Sequence, residues 1–169
     1  LSGSAAIFIG GISIGSLLFD MLYWNFSFLR IGTGGMTAQA YGRDDMSAAA
    51  ATLIRSVFVS MLIAISCILI QWAFVDFVFL FVKCSPDVRA LAETYFHIRI
   101  WAAPATLTLM ALKGWFIGMQ NSVIPMATDL IVNGMNIAGS IILAMGLPAL
   151  GFSGIGFPGI SVGTVAAQY

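Results

Sequence analysis

Four apolar stretches, each at least about 20 residues long, decide what this chain can fold into. They cover residues 4–40, 48–82, 92–119 and 123–146, and a further apolar run starts from residue 157. A helix needs about 20 such residues to cross the hydrocarbon layer, whereas a barrel strand needs only about 9–11 with strict alternation. The runs are too long and too uniformly apolar for strands. The expected fold is therefore an all-α polytopic membrane protein, a bundle of transmembrane helices in contact with the lipid bilayer.

Composition excludes the main alternatives. Of 169 residues, 60% are hydrophobic and 8% charged, with 7 basic and 7 acidic side chains and zero net charge. The mean hydropathy is +0.99. A soluble domain carries about 25% charged residues, and a disordered chain needs low hydrophobicity. The neutral balance offers no basic face for phosphates, so no nucleic-acid partner is expected. Cys67 and Cys84 form neither a CxxC motif nor a disulfide framework. The first span has neither an initiator Met nor a basic leader before it, unlike a signal peptide, and the last run stops inside a helical pattern. The chain is expected to be a portion of a longer protein.

Turns separate the spans. Tyr41-Gly42-Arg43-Asp44-Asp45 ends the first, and Cys84-Ser85-Pro86-Asp87 follows the second, with proline as breaker. Gln120-Asn121-Ser122 joins the third and fourth so briefly that they must be antiparallel neighbours. Arg30, Arg43, Arg55 and Lys113 fall nearest one side, Lys83, Arg89 and Arg99 nearest the other. That asymmetry slightly favours the Arg43 side as cytoplasmic.

Polar residues at membrane depth are the candidate functional positions. A carboxylate in hydrocarbon costs about 2.5–3.5 kcal/mol on insertion scales, so it faces a polar interior or is protonated. Asp20 lies well inside the first span, as a proton or cation site or as a hydrogen bond between helices. Asp129, Asn133 and Asn136 follow one another by four and three residues, roughly on one helix face. They read as a cation or cavity stripe or as interhelical contacts, with Asp129 alternatively at the interface. Ser140 extends the line, although serines in membranes commonly bond back to their own helix. Asp76 reads as an interfacial carboxylate. Arg99, near the start of the third span, and Lys113, near its end, are placed to snorkel. Pro104 and Pro125 can start helices or stand as helix bends, either structural or lining a substrate route.

Other patterns carry packing or nothing. Gly11/Gly15, Gly114/Gly118 and Gly159/Gly163 are GxxxG pairs, suited to close helix contact in a bundle. Gly154-Ile-Gly156-Phe-Pro-Gly159 spells a dinucleotide fingerprint, but no strand precedes it and a proline interrupts it. Asn25-Phe-Ser27 has the form of a glycosylation sequon inside a span. His97 is the only histidine and has no metal-ligand spacing around it. No metal site, no cofactor and no catalytic constellation is expected, hence no enzyme.

Three segments in register resemble one family. Phe28-Leu29-Arg30-Ile31-Gly32-Thr33-Gly34-Gly35-Met36-Thr37-Ala38-Gln39-Ala40-Tyr41-Gly42 resembles the second-helix signature of the multidrug and toxic compound extrusion (MATE) family, most closely its DinF branch. Ile98-Arg99-Ile100-Trp101-Ala102-Ala103-Pro104 with Gly114-Trp115-Phe116-Ile117-Gly118-Met119-Gln120 is similar to its fourth helix and following loop. Asn133-Gly134-Met135-Asn136-Ile137 resembles the asparagine pair of its fifth helix.

The resemblance implies about half of a twelve-helix transporter: one six-helix lobe, incomplete, as a partial amino-terminal transmembrane domain over residues 1–169. The remainder of its own chain, a second lobe, would be its partner. It also implies a secondary antiporter, coupled to H+ or Na+, that exports small organic, often cationic or amphipathic compounds from the cell across the inner (plasma) membrane. The Arg43 loop would be cytoplasmic. Two departures stand out. The family's acidic first-helix residue would lie upstream of Leu1, and Ser140 stands where some DinF-type relatives have an acid. A serine cannot exchange a proton near neutral pH. Two alternatives are a lipid-linked oligosaccharide flippase of similar architecture and a non-transporting membrane scaffold or enzyme subunit. The flippase would want basic residues in a central cavity, whereas Arg99 and Lys113 are expected near span ends.

Overall fold

Inside hydrocarbon only a helix satisfies its backbone polar groups within one segment. The computed structural model describes residues 2–147, 152–153 and 156–169, and nearly all of them are helical. The elements are α1 (Ser2–Trp24), α2 (Ser27–Gly42), α3 (Met46–Phe79), α4 (Pro86–Arg99), a 3-10 turn (Ile100–Ala102), α5 (Ala103–Gly118), α6 (Val123–Met145) and α7 (Phe157–Gln168). Between α6 and α7, the two-residue strands β1 (Gly146–Leu147) and β2 (Phe152–Ser153) pair antiparallel. Gly146 stops α6 at φ 82°, a conformation that favours glycine. Four segments are long and apolar enough to cross a membrane: Ala6–Gly42, Met46–Phe79, Pro86–Gly118 and Val123–Met145.

Local chemistry sets most boundaries. Asp45 caps α3 by accepting from the Ala48 N–H at 2.9 Å. Ser85 caps α4, Pro86 occupies its first turn, and Asp87 complements the helix dipole there. The third span therefore begins at Pro86 rather than residue 92, because the proline starts a helix instead of only ending a loop. The first span is not one helix. Asn25 Nδ2 donates to the Met21 carbonyl at 2.7 Å and Ser27 Oγ to the Trp24 carbonyl at 2.9 Å. These side chains satisfy the last turn of α1 while α2 starts afresh, so the sequon-like residues mark a break.

The core is aromatic and sits where α1, α3 and α4 meet. Phe19 stacks on Phe96 at 4.7 Å between centroids, and Phe96 on Phe74 at 5.7 Å. Leu18, Ile100 and Leu107 are fully buried around them. Thr37, Ser60 and Gln71 are also buried, while Trp24, Leu69, Leu80 and Leu130 are exposed. Small polar groups inside and large apolar groups outside suit a chain whose surroundings are hydrocarbon. The serines and threonines of α3 bond back along their own helix: Thr52 to the Ala48 carbonyl, Ser56 to Thr52, Ser66 to Leu62.

All three GxxxG pairs lie on helices in close contact. α1 packs on α4, α2 on α5, and α6 on α7. A Cβ on Gly15 would lie 2.5 Å from the Tyr95 ring, and one on Gly118 would lie 2.6 Å from the Gly34 carbonyl oxygen. A Cβ on Gly163 would lie 2.6 Å from the Ser140 nitrogen. At all three seams only hydrogen fits: Gly15 makes room for the Tyr95 ring, and at Gly118 and Gly163 backbone meets backbone.

Candidate functional site

The α6 stripe divides between two neighbours. At its start, Pro125 is buried in the first turn and so helps begin α6 rather than bend it. One turn on, Asp129 forms an ion pair with Lys113 of α5. Lys113 and Asp129 flank the short 119–122 turn almost symmetrically, which brings them to one level of the antiparallel hairpin. That symmetry was a signal in the sequence for the pair. The Asp129 side chain is 54% exposed and that of Lys113 is 24% exposed. Asn133, a turn further, is exposed.

The far end of the stripe turns to α7. Asn136 Oδ1 accepts from Ser140 Oγ at 3.1 Å and from Thr164 Oγ1 at 3.2 Å. Both hydroxyls also approach the Ile160 carbonyl, Ser140 at 3.3 Å and Thr164 at 3.0 Å. Four oxygens thus form a closed ring across the α6–α7 seam. Two hydroxyl protons serve four oxygen–oxygen contacts, so two contacts always lack a hydrogen between them. The close approach of Gly139 to Gly163, with 3.6 Å from a Cβ position on Gly139 to the Gly163 Cα, brings the helices near enough for the ring. Thr164 and the Ile160 carbonyl were not among the residues singled out from sequence. Their signal was only the polar i, i+3 pair Ser161/Thr164 in an otherwise apolar run.

Asp20 does not join this ring. It is exposed on the wall of a depression of 660 Å³ formed with Tyr23, Trp24, Ser27, Arg30, Met110 and Lys113. It also borders a shallower depression of 420 Å³ with Leu17, Met21, Trp24 and Asn25. Pro104 stands in the first turn of α5, directly after the 3-10 turn that joins α4 to α5.

Arg99 and His97 have surroundings that differ from expectation, whereas Asp76 lies on an exposed face. Arg99 lies mid-span rather than near a span start, because α4 begins at Pro86. Its guanidinium covers the Phe19 ring at 4.8 Å and donates to the Tyr95 hydroxyl at 2.8 Å, so it braces the aromatic core. Asp76 pairs with Arg89 at 3.5 Å, and Arg89 also binds Glu93 at 2.7 Å, on an exposed surface. His97 Nδ1 lies 3.0 Å from Gln71 Oε1 and its ring is 4.0 Å from that of Trp72, an α3–α4 contact that spacing alone did not indicate. Residues 154 and 155 of the fingerprint-like glycine run lie outside the described residues.

Comparison with known proteins gives this geometry its context. The chain is 31% identical over 141 residues to DNA damage-inducible protein F of Escherichia coli (strain K12), covering 83% of this chain and 31% of that protein. It is 28% identical over 111 residues to the probable multidrug resistance protein NorM of Rhizobium meliloti (strain 1021), covering 66% of this chain and 24% of that one. The chain thus spans about a third or less of the length of these curated relatives. A crystal structure of MATE in complex with MaD3S superposes with a TM-score of 0.82 at 17% identity, over 96% of this chain and 35% of that one. This likeness shows the fold: one part of a larger transporter-type helical bundle. The MatE family model matches residues 2–163, and the chain belongs to that family.

Proposed function

We propose that this chain serves as the amino-terminal lobe of a cation-coupled secondary antiporter in the inner (plasma) membrane, exporting organic and often amphipathic compounds by alternating access. The names of its relatives, one a probable multidrug resistance protein, support the direction of this reading. The observation that carries the coupling is the four-oxygen ring of Asn136, Ser140, Thr164 and the Ile160 carbonyl. Were these oxygens coplanar, a square with their spacing would have its centre about 2.2 Å from each. That lies within the span of oxygen bonds to hard cations, about 2.0–2.6 Å. A cation there would supply the attraction that the two missing protons leave absent. None of the four groups titrates near neutral pH, which favours Na+ over a proton at this place. Neutral oxygens also suit a singly charged ion, since divalent ions are usually held by carboxylates.

The ring spans two helices, so an ion bound in it holds α7 against α6. Such an ion shifts the balance between two lobe arrangements by its difference in affinity for them, and no further. Substrate would favour the other arrangement. Export of a fluorescent cationic dye from proteoliposomes of the complete protein tests this. Efflux should follow an imposed Na+ gradient, and Asn136→Ala and Thr164→Ala should abolish the Na+ response. Dye retained under both Na+ and proton gradients would leave the scaffold alternative; efflux driven by protons alone would remove the ring from coupling.

A further inference from the structure

Charged side chains also gather away from the α6–α7 ring, in the 660 Å³ depression between α1, α2 and α5. One of them, Lys113, is already neutralised by Asp129. Asp20 and Arg30 are different. Both are exposed on the wall, and among the described residues neither has an ion pair, with the other or with any third group. They stand on either side of the break at Asn25–Phe26, so an acid of α1 and a base of α2 line one space without pairing. Trp24, Tyr23 and Met110 supply apolar and aromatic surface beside them.

We propose that this depression binds an amphipathic zwitterion. Its ammonium group meets the Asp20 carboxylate, its carboxylate or phosphate meets the Arg30 guanidinium, and its apolar body lies against Trp24 and Met110. A planar guanidinium binds either anion in two-pronged fashion, and an ammonium beside an indole gains further attraction. Charge decides between ligand classes. A ligand with one charge would cover one of the two residues and leave the other uncompensated as water is displaced, which is costly. A zwitterion compensates both. Passage of such a ligand across the membrane rests on the exporter reading; its binding does not.

The test uses the complete protein in nonionic detergent without any ion gradient, and three ligands with one fluorophore. Nε-dansyl-lysine is zwitterionic, dansylcadaverine cationic and dansyl-aminohexanoic acid anionic. The zwitterion should bind tightest, and Asp20→Asn and Arg30→Gln should each weaken it about tenfold or more, the scale of one charged hydrogen bond. Of the two singly charged probes, Asp20→Asn should weaken only the cation and Arg30→Gln only the anion. Competition by lysophosphatidylethanolamine would identify a lipid headgroup as the occupant, and its absence a free solute. Zwitterion binding unchanged in both variants, or all three ligands weakened alike by each, overturns the proposal. Loss of dye export with this binding pattern intact would count against the exporter reading only.

Discussion

The α6–α7 seam and the α1–α2–α5 depression both put polar groups into membrane-spanning helices, by opposite means. The seam is closed, neutral and backbone-tight: a glycine at each crossing lets four uncharged oxygens meet. The depression is open and charged, and its acid and base stand on either side of a helix break without pairing. Closeness favours an ion stripped of water, whereas an unpaired acid and base favour a larger ligand that carries both charges. The same few kinds of polar residue thus suit different tasks according to how near two helices come.

Glycine substitutions should produce the largest effects and separate the two regions. Gly163→Ala and Gly118→Ala both force a methyl group into backbone, at 2.6 Å from the Ser140 nitrogen and the Gly34 oxygen respectively. Each should cost about 1–3 kcal/mol, read as a lowered melting temperature in detergent. Only Gly163→Ala should also abolish the response of stability to added Na+, because it separates the helices that share the ring. An equal Na+ response in both variants would break the contrast.

Asn136→Ala should come next. It removes the acceptor of two hydroxyls and should cost about 1 kcal/mol, since membrane hydrogen bonds are worth about 0.6–2 kcal/mol. Thermal unfolding with and without Na+ measures it, and retained ion stabilisation would show the ring to be structural only. A smaller effect is expected at the hairpin. A double-mutant cycle with Lys113→Met and Asp129→Asn should give a coupling of about 1 kcal/mol or less, because the carboxylate is half exposed and screened. The smallest change should follow Gly32→Ala. Nothing lies within 4 Å of its Cβ position, so the helix preference of alanine should leave stability equal or raise it by up to about 1 kcal/mol. A clear loss there would show that the open face of α2 is covered in the complete protein.

Much of the fold was legible because its signals are local. Apolar length announced the spans and the GxxxG pairs announced close faces, whereas Asp45 and Ser85 read as turn residues and turned out to cap α3 and α4. The break at Asn25–Phe26 was not legible, since apolar residues continue through it and two side-chain hydrogen bonds create it. Arg99 was misplaced for a related reason: a polar first turn hid the start of α4 at Pro86. Of the site, periodicity placed Asp129, Asn133 and Asn136 on one face without distinguishing their partners. Asp129 turned out to meet α5 and Asn136 to meet α7.

By itself, then, the sequence determined that the chain is helical, that it belongs in hydrocarbon, and which of its faces are small or polar. These properties follow from single residues and their spacing along one helix. Only the tertiary structure decided that Thr164 and the Ile160 carbonyl complete a ring with Asn136 and Ser140, and that Asp20 shares a depression with Arg30. A helical period says which way a side chain points, but its partner depends on which backbones approach and where a helix is interrupted.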